Sequence, residues 1–341
     1  MPLPSAPAVA EPVAPAGARL PRFPATFDRE RVTTPEPSCV AILLCTYNGQ
    51  NHLPEQLASY CAQTHTRWSV FASDDGSMDA TRHILDACAE RWGSRLMVVD
   101  GPRQGFAANF LSLASAPDIR ADYYAYSDQD DIWEPDKLQQ AVHALQQIPP
   151  DVPALYCSRL RLIGNGGEEL GLSRLFGGPA SFSNALVQNV ASGNTSVFNH
   201  AAKRLLEKAG ADVCVPFHDW WTYMVVSGCG GVVVYDPHPT VRYRQHGGNA
   251  MGSNRSWRGR AERVRMLWEG RFRDWNDLNI RALERLDDFL AEEVRHTLRL
   301  YAASRKKSFL PRLLGLKRAG IHFQTMGGNL GLMMAAICNK V

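Results

Sequence analysis

The chain has 341 residues, of which 45% are hydrophobic and 21% charged, an ordinary globular composition that suits one large domain with an appendage or two modest domains. No apolar stretch reaches the roughly 18–20 residues of a membrane span, which excludes a transmembrane helix. The net charge is only +3, but residues 255–320 hold 17 Lys+Arg against 9 Asp+Glu, a local +8 that leaves the remainder at −5 and suggests contact with an anionic surface.

Residues 1–37 are rich in Pro and Ala without periodicity and read as a disordered arm. Order is expected from Cys39. Val40 to Leu44 is a short buried strand with Gly49 just after it, and Leu53, Leu57 and Cys61 follow at helical spacing. Trp68 to Ala72 is a second strand, followed by a helix with Ile84, Leu85 and Cys88. Leu96 to Val99 is a third, followed by a helix with Phe106, Phe110 and Leu113. Tyr123 to Tyr126 is a fourth, and Leu138, Val142 and Leu145 mark the next helix. This alternation predicts an α/β fold with a parallel sheet covered on both faces. Further on, 153–163 reads as a strand, 200–209 and 218–228 as helices, and Val232 to Tyr235 as a strand. Beyond about 255 the pattern is long, charged and helical.

The eight cysteines form no Cys-x-x-Cys pair, so a zinc site is not expected, and several read as small core residues. No charged segment followed by an apolar run opens the chain, so a reducing cytoplasm is the expected compartment.

In an open parallel sheet, ligands bind beyond the carboxyl ends of the strands. Polar clusters fall at those ends: Cys45-Thr46-Tyr47-Asn48-Gly49, Ser73-Asp74-Asp75-Gly76-Ser77, Gly101 to Asn109, and Ser127-Asp128-Gln129-Asp130-Asp131. Alone, Asn48-Gly49 is equally a turn, and Asp74 to Ser77 equally a turn leading into a helix cap. The acid cluster is more specific. Three carboxylates in four residues repel one another, and a divalent cation relieves that repulsion; oxygen ligands suit Mg²⁺ or Mn²⁺. The competing reading is a solvated acidic loop.

Thr46-Tyr47-Asn48-Gly49, Asp74-Asp75-Gly76-Ser77-Met78-Asp79 and Ser127-Asp128-Gln129-Asp130-Asp131-Ile132-Trp133, followed by His218-Asp219-Trp220-Trp221 and Tyr243-Arg244-Gln245-His246-Gly247, resemble glycosyltransferase family 2. The likeness covers roughly residues 38–250 and is strongest to the rhamnosyltransferase-like branch of bacterial O-antigen and exopolysaccharide assembly. It implies a GT-A fold: a Rossmann-like, mainly parallel sheet flanked by helices over 38–254, with 255–341 as a helical basic C-terminal region. It implies an inverting hexosyltransferase using a dTDP- or UDP-sugar, L-rhamnose first, and an acceptor that is a glycan or lipid-linked. Thr46, Tyr47 and Asn48 resemble the loop on the base and ribose. Asp74 and Asp75 resemble the carboxylates that read the nucleoside. Gly105 and Asn109 resemble the loop under the nucleotide. Asp128 and Asp130 match an Asp-x-Asp motif, with Asp130 as direct metal ligand. Asp219 matches the catalytic base, and Arg244 and His246 the segment that grips the donor diphosphate, with His246 also a candidate metal ligand.

Inversion at an anomeric carbon needs one carboxylate to take the acceptor proton and positive charge to steady the leaving diphosphate. Trp220 and Trp221 could offer flat faces to a sugar or be core packing on a helix. Ser192-Gly193-Asn194-Thr195 is either part of an acceptor pocket or a structural turn. In the tail, Ser304 to Gly320 interleaves basic and apolar residues, as in an interfacial membrane segment or a helix packed on the catalytic domain. The expected location is therefore cytoplasmic, peripheral at the inner face of the cell membrane. Two other readings are a binding module that has lost catalysis and a sugar nucleotidyltransferase. The first needs neither Asp219 nor His246. The second usually opens with a Gly-rich phosphate loop after strand one. A nucleic-acid partner is not expected, because phosphate backbones avoid carboxylate clusters.

Overall fold

Seven consecutive buried residues, Val40–Thr46 (β1), require a strand enclosed on both faces and both edges. The computed structural model, which describes residues 38–245 and 270–341, provides that enclosure. Trp68–Asp74 (β2) and Tyr123–Ser127 (β4) run parallel to β1 on either side. Leu96–Asp100 (β3) runs parallel to β2 and forms one edge, where Met97 and Val99 are exposed.

Beyond β4 the sheet departs from the expected parallel arrangement. Val197–Asn199 (β8) is antiparallel to both β4 and Ala154–Ile163 (β6). β6 is parallel to Val232–Arg244 (β9), and Ile132–Trp133 (β5) closes the far edge antiparallel to β9. Glu169–Leu172 (β7) pairs antiparallel with β6. The order is β3-β2-β1-β4-β8-β6-β9-β5. β9 is 13 residues long, far beyond the four residues that read as strand.

The alternation of β1 separates two cores. Val40, Ile42 and Leu44 face one side, with residues of Leu53–Cys61 (α1), Thr81–Trp92 (α2) and Lys137–Leu145 (α4). Ala41, Leu43 and Cys45 face the other, with Phe106–Ala114 (α3), the short Phe182–Ala185 (α5), His200–Ala209 (α6) and His218–Gly228 (α7). The expectation of a sheet covered on both faces is met.

Four more helices, Arg271–Glu284 (α8), Glu292–Arg305 (α9), Phe309–Arg318 (α10) and Met326–Ile337 (α11), complete the described chain. Leu283, Leu286, Leu298, Tyr301, Leu316 and Leu332 enter the second core, so the C-terminal helices share it with the sheet. Cys45, Cys88 and Cys157 are buried free thiols, the small core residues expected. Among the described residues no helix is long and apolar enough to cross a membrane. The arm 1–37, the boundary at 254/255 and His246 lie outside the described residues.

Candidate active site

Because β1, β2 and β4 are parallel and in register, their carboxyl ends come out together: Thr46 lies opposite Asp74, and Leu44 opposite Ser127. The loops that follow therefore stand side by side. The Thr46 hydroxyl donates to Asp74 Oδ1 at 2.8 Å, and Ser77 donates to the same carboxylate from its backbone N–H (2.9 Å) and its hydroxyl (2.5 Å). Asn48 sits at φ 49°, a conformation Asn tolerates. Its N–H donates to Ser77 Oγ, and its Oδ1 accepts from Met78 N. The Tyr47 side chain is 58% exposed and stands clear of the loop.

Asp75 shapes the loop after β3. Its carboxylate accepts from Arg103 N at 2.6 Å and Gly105 N at 2.9 Å. Gly105, at φ +90°, occupies a backbone region that side-chain-bearing residues rarely enter. Asn109 is interior: it accepts from Ser73 Oγ at 2.6 Å and donates to Ser73 O at 3.0 Å. In this conformation Asp74, Asp75 and Asn109 hold the loops to one another.

The acid loop after β4 joins this group through a residue that sequence reasoning passed over. Gln129 accepts from Tyr47 N at 2.8 Å and donates to Tyr47 O at 2.9 Å, as a strand neighbour would. Gln129 and Asp130 line a cavity of about 390 Å³ with Asn48, Gly49, Asn51, His52 and Asn165, within the usual size range of ligand pockets. A Cβ on Gly49 would collide with the Gln129 side chain. Burial pushes Asp128 above the usual carboxylate range, helped by the charges of Asp130 and Asp219. Asp131 is raised for the same first reason, with Asp130 and Asp128 adding to it. It accepts from Asn194 Nδ2 at 2.6 Å and from Arg244 N at 3.2 Å. Lys137 is fully buried beneath the Trp133 ring, and burial pulls it down to about 7 against the opposing pull of Asp131.

Asp219 lies in the first turn of α7, half-buried. Its Oδ2 accepts from Gly193 N at 2.9 Å and its Oδ1 from Trp220 N at 2.6 Å. Burial raises it to about 6, against the lowering effect of hydrogen bonds from Trp220, Gly193 and Asn189. The turn Gly193–Thr195 thus touches two acids: Gly193 holds Asp219, and Asn194 holds Asp131, while Ser192 Oγ donates to Asn194 Oδ1 at 2.8 Å. Beside Asp219, His218 stacks on Phe110 at 3.8 Å, and burial lowers it to about 3, so its ring is neutral.

Two expectations for this region read differently in three dimensions. Trp220 and Trp221 are buried in the core; the Trp220 indole N–H donates to Ala185 O at 2.6 Å. Neither ring offers a face to a sugar, because helix α7 is enclosed on all sides. Arg244 is also buried: its guanidinium donates to Asp130 O (3.1 Å), Asn165 O (2.9 Å) and Glu55 Oε2 (2.6 Å). Glu55, Asn165, Asn189 and Lys137 had no motif to mark them. Gln129 alone lay inside one.

Among the described residues no group of three or more His, Cys, Asp or Glu gathers as a ready cation cage. Asp130 nonetheless supplies one carboxylate to the cavity, and carboxylate oxygen suits a hard divalent cation. Burial is the first cause that raises Asp128, and the repulsion from Asp130 that adds to it is what such an ion would offset.

Gly193 admits a sharp test. A Cβ there would stand 2.8 Å from His218 Nε2 and 3.3 Å from Asp219 Cβ, and the stacked His218 ring has little room to yield. Gly193→Ala should cost about 1–3 kcal/mol of stability, the usual cost of overpacking, and displace Asp219. Denaturant unfolding together with kcat would show both; unchanged values for both would mean that the turn yields freely.

Comparisons with a family model, with known relatives and with solved structures each give matches. Residues 41–186 match the family model described as Glycosyl transferase family 2. The chain is 28% identical over 235 residues to the dTDP-rhamnosyl transferase RfbG of Shigella flexneri, covering 66% of this chain and 78% of that protein. Among solved structures, S. aureus TarS in complex with UDP-GlcNAc aligns with a TM-score of 0.50 at 14% identity, covering 82% of this chain and 90% of that one. GalNAc-T7 with UDP, GalNAc and Mn²⁺ aligns with a TM-score of 0.51 at 9% identity, covering 85% of this chain and 55% of that one. These likenesses show the GT-A fold.

Proposed function

We propose that this glycosyltransferase, whose residues 41–186 match the family 2 model, transfers a sugar with inversion from a nucleotide sugar to a hydroxyl of a cell-surface glycan or lipid-linked acceptor. The observation that carries this reading is the placement of Asp219. It is a half-buried carboxylate at a helix N-terminus, held by two backbone N–H groups and raised to about 6. At neutral pH such a group is ionised yet basic enough to accept a proton.

In the reaction, the acceptor oxygen bonds to the anomeric carbon as the bond from that carbon to the diphosphate oxygen breaks. The bonding pair leaves with the nucleoside diphosphate, and the acceptor proton passes to Asp219. On this reading the exposed Tyr47 ring, with Thr46 and Asn48, receives the base and ribose, and Asp74 and Asp75 organise the loops beneath. Asp128 and Asp130 would hold Mg²⁺ or Mn²⁺ against the donor diphosphate. When bound, the cation supplies neutralisation of the leaving group's charge. Arg244 and His246 serve the same charge. For Arg244 to reach it, the ion pair to the half-exposed Glu55 carboxylate has to open. On this reading Gly193, bonded to Asp219, and Asn194, bonded to Asp131 and to Ser192, form the acceptor side with Ser192.

RfbG supports a dTDP-L-rhamnose donor, with UDP-sugars next. On this reading residues 38–254 are catalytic, 255–341 form the helical basic region, and the enzyme works at the cytoplasmic face of the cell membrane. A donor screen by thermal unfolding in Mg²⁺ or Mn²⁺ tests the proposal. A true donor at a hundredfold its Kd stabilises by about 2.7 kcal/mol, a shift of several degrees. If no dTDP- or UDP-sugar moves the midpoint further than free nucleoside monophosphate does, the donor assignment falls.

A further inference from the structure

The faces of α10 and α11 turned away from the core are apolar. On α10, Phe309, Leu310 and Leu314 are exposed; on α11, Met326, Leu330, Met333, Met334 and Ile337 are, with Met326 at 92% and Leu310 at 64%. Helix α11 contains no charged residue. The two helices are not loosely attached. Leu316, Leu332, Ala335 and Ala336 lie in the core, and Arg312 donates to Ala336 O at 2.6 Å and to Lys307 O at 2.5 Å, tying one helix to the other. A cavity of about 330 Å³ opens between them, lined by Leu313, Leu316, Leu332 and Met333 with Lys317 beside them. Exposed apolar side chains gathered on one face of each helix mark an interaction surface.

Charge decides what covers it. Residues 294–341 contain nine Lys and Arg and no Asp or Glu. Arg299 and Arg305 are committed to Asp287 and Asp277. Lys306, Lys307, Lys317 and Arg318 are exposed and form no ion pair among the described residues. A second copy docked through the same face would set this charge against itself. Residues 1–37 carry four residues of each sign and offer no net counter-charge. An anionic bilayer offers both halves of what the face needs: acyl chains for the Met and Leu side chains, and phosphates for the Lys and Arg.

We propose that α10 and α11 form a docking face that inserts its apolar side chains shallowly into an anionic membrane while the flanking basic residues engage lipid phosphates. The inference extends the proposed membrane-held acceptor, and its test is independent of sugar transfer. Full-length protein is sedimented with vesicles of pure phosphatidylcholine and of phosphatidylcholine mixed with phosphatidylglycerol, at about 0.05 M and about 0.5 M salt. Binding is expected to the anionic vesicles alone and to weaken at high salt. Leu330→Glu with Met334→Glu should lower partitioning at least tenfold, and Leu330→Met with Met334→Leu should preserve it. Replacing Lys306, Lys307, Lys317 and Arg318 by Gln should lower it at least tenfold at low salt. Donor-induced thermal shift of each variant should match wild type, so loss of donor binding and loss of docking are read separately. Absence of binding to anionic vesicles at low salt overturns the proposal. So does retained binding in the Glu variant, or a wild-type dimer in sedimentation velocity that the Glu variant converts to monomer.

Discussion

Replacing Asp219 by Asn should lower kcat by about 10²–10⁴-fold, the usual worth of a positioned general base, and leave donor affinity near that of wild type. The substitution keeps shape and one acceptor oxygen but removes the proton acceptor. Loss of catalysis without loss of donor binding therefore assigns the base. If Asp219 served only to secure the first turn of α7, Asn would serve there too and activity would survive. The pH profile adds a second reading. Burial raises this carboxylate to about 6, and it works deprotonated, so wild-type kcat/KM should rise tenfold per unit below about 6 and level off above it. The Asn variant should lack that limb. The sign for stability is opposite: a carboxylate whose folded value lies above its unfolded one keeps its proton longer when folded, so folding weakens as pH rises through the interval between them. The acid limb in activity thus cannot come from unfolding of this origin. Near-normal turnover in the Asn variant would remove Asp219 from the mechanism.

Asp130→Ala should remove turnover to a comparable degree, by at least about 10²–10³-fold, the loss that follows removal of one electrostatic stabiliser. The three acids of the loop are not equivalent. Asp131 is buried and held by Asn194 and the Arg244 backbone, and Asp128 is held above the usual range by burial. Asp130 lines the cavity beside Gln129 and Asn48, where the proposed donor diphosphate would rest. Chelator in excess should suppress the wild type, and added Mg²⁺ or Mn²⁺ should restore it. The same addition should fail to restore Asp130→Ala. Full wild-type activity in excess EDTA would sink the metal-assisted route.

The parallel half of the sheet was legible because its strands are runs of five to seven residues rich in apolar and aromatic side chains, separated by periodic helices. β5, β7 and β8 were not, since two to four residues cannot display a period. Their pairing is set by distant partners such as Val241 and Phe198 against Trp133 and Tyr124. At the site, motifs marked the loops but not their wiring. Nothing in the chain order announces that Gln129 would complete the Tyr47 backbone, or that Glu55 would meet Arg244 across 189 positions. Trp220 and Trp221 left two readings open because a helix enclosed on all sides has no periodic polar face to orient it. The tail was read as helical and basic, but the uncharged α11 carries no sign in sequence of which face would remain outside.

One consequence follows from the length of β9. It pairs with β6 along its whole course and, near its end, receives β5 at Ile132 and Trp133, the residues immediately after the acid loop. That loop is therefore anchored at both ends, by β4 before it and by β9 after it, and Arg244 at the tip of β9 bonds back to Asp130 and Asp131. Ordering such a segment costs conformational entropy, and here the cost falls on folding once instead of on each binding event. A substitution in the outer half of β9, remote from any donor atom, should then be felt as weaker donor affinity before it is felt as slower chemistry.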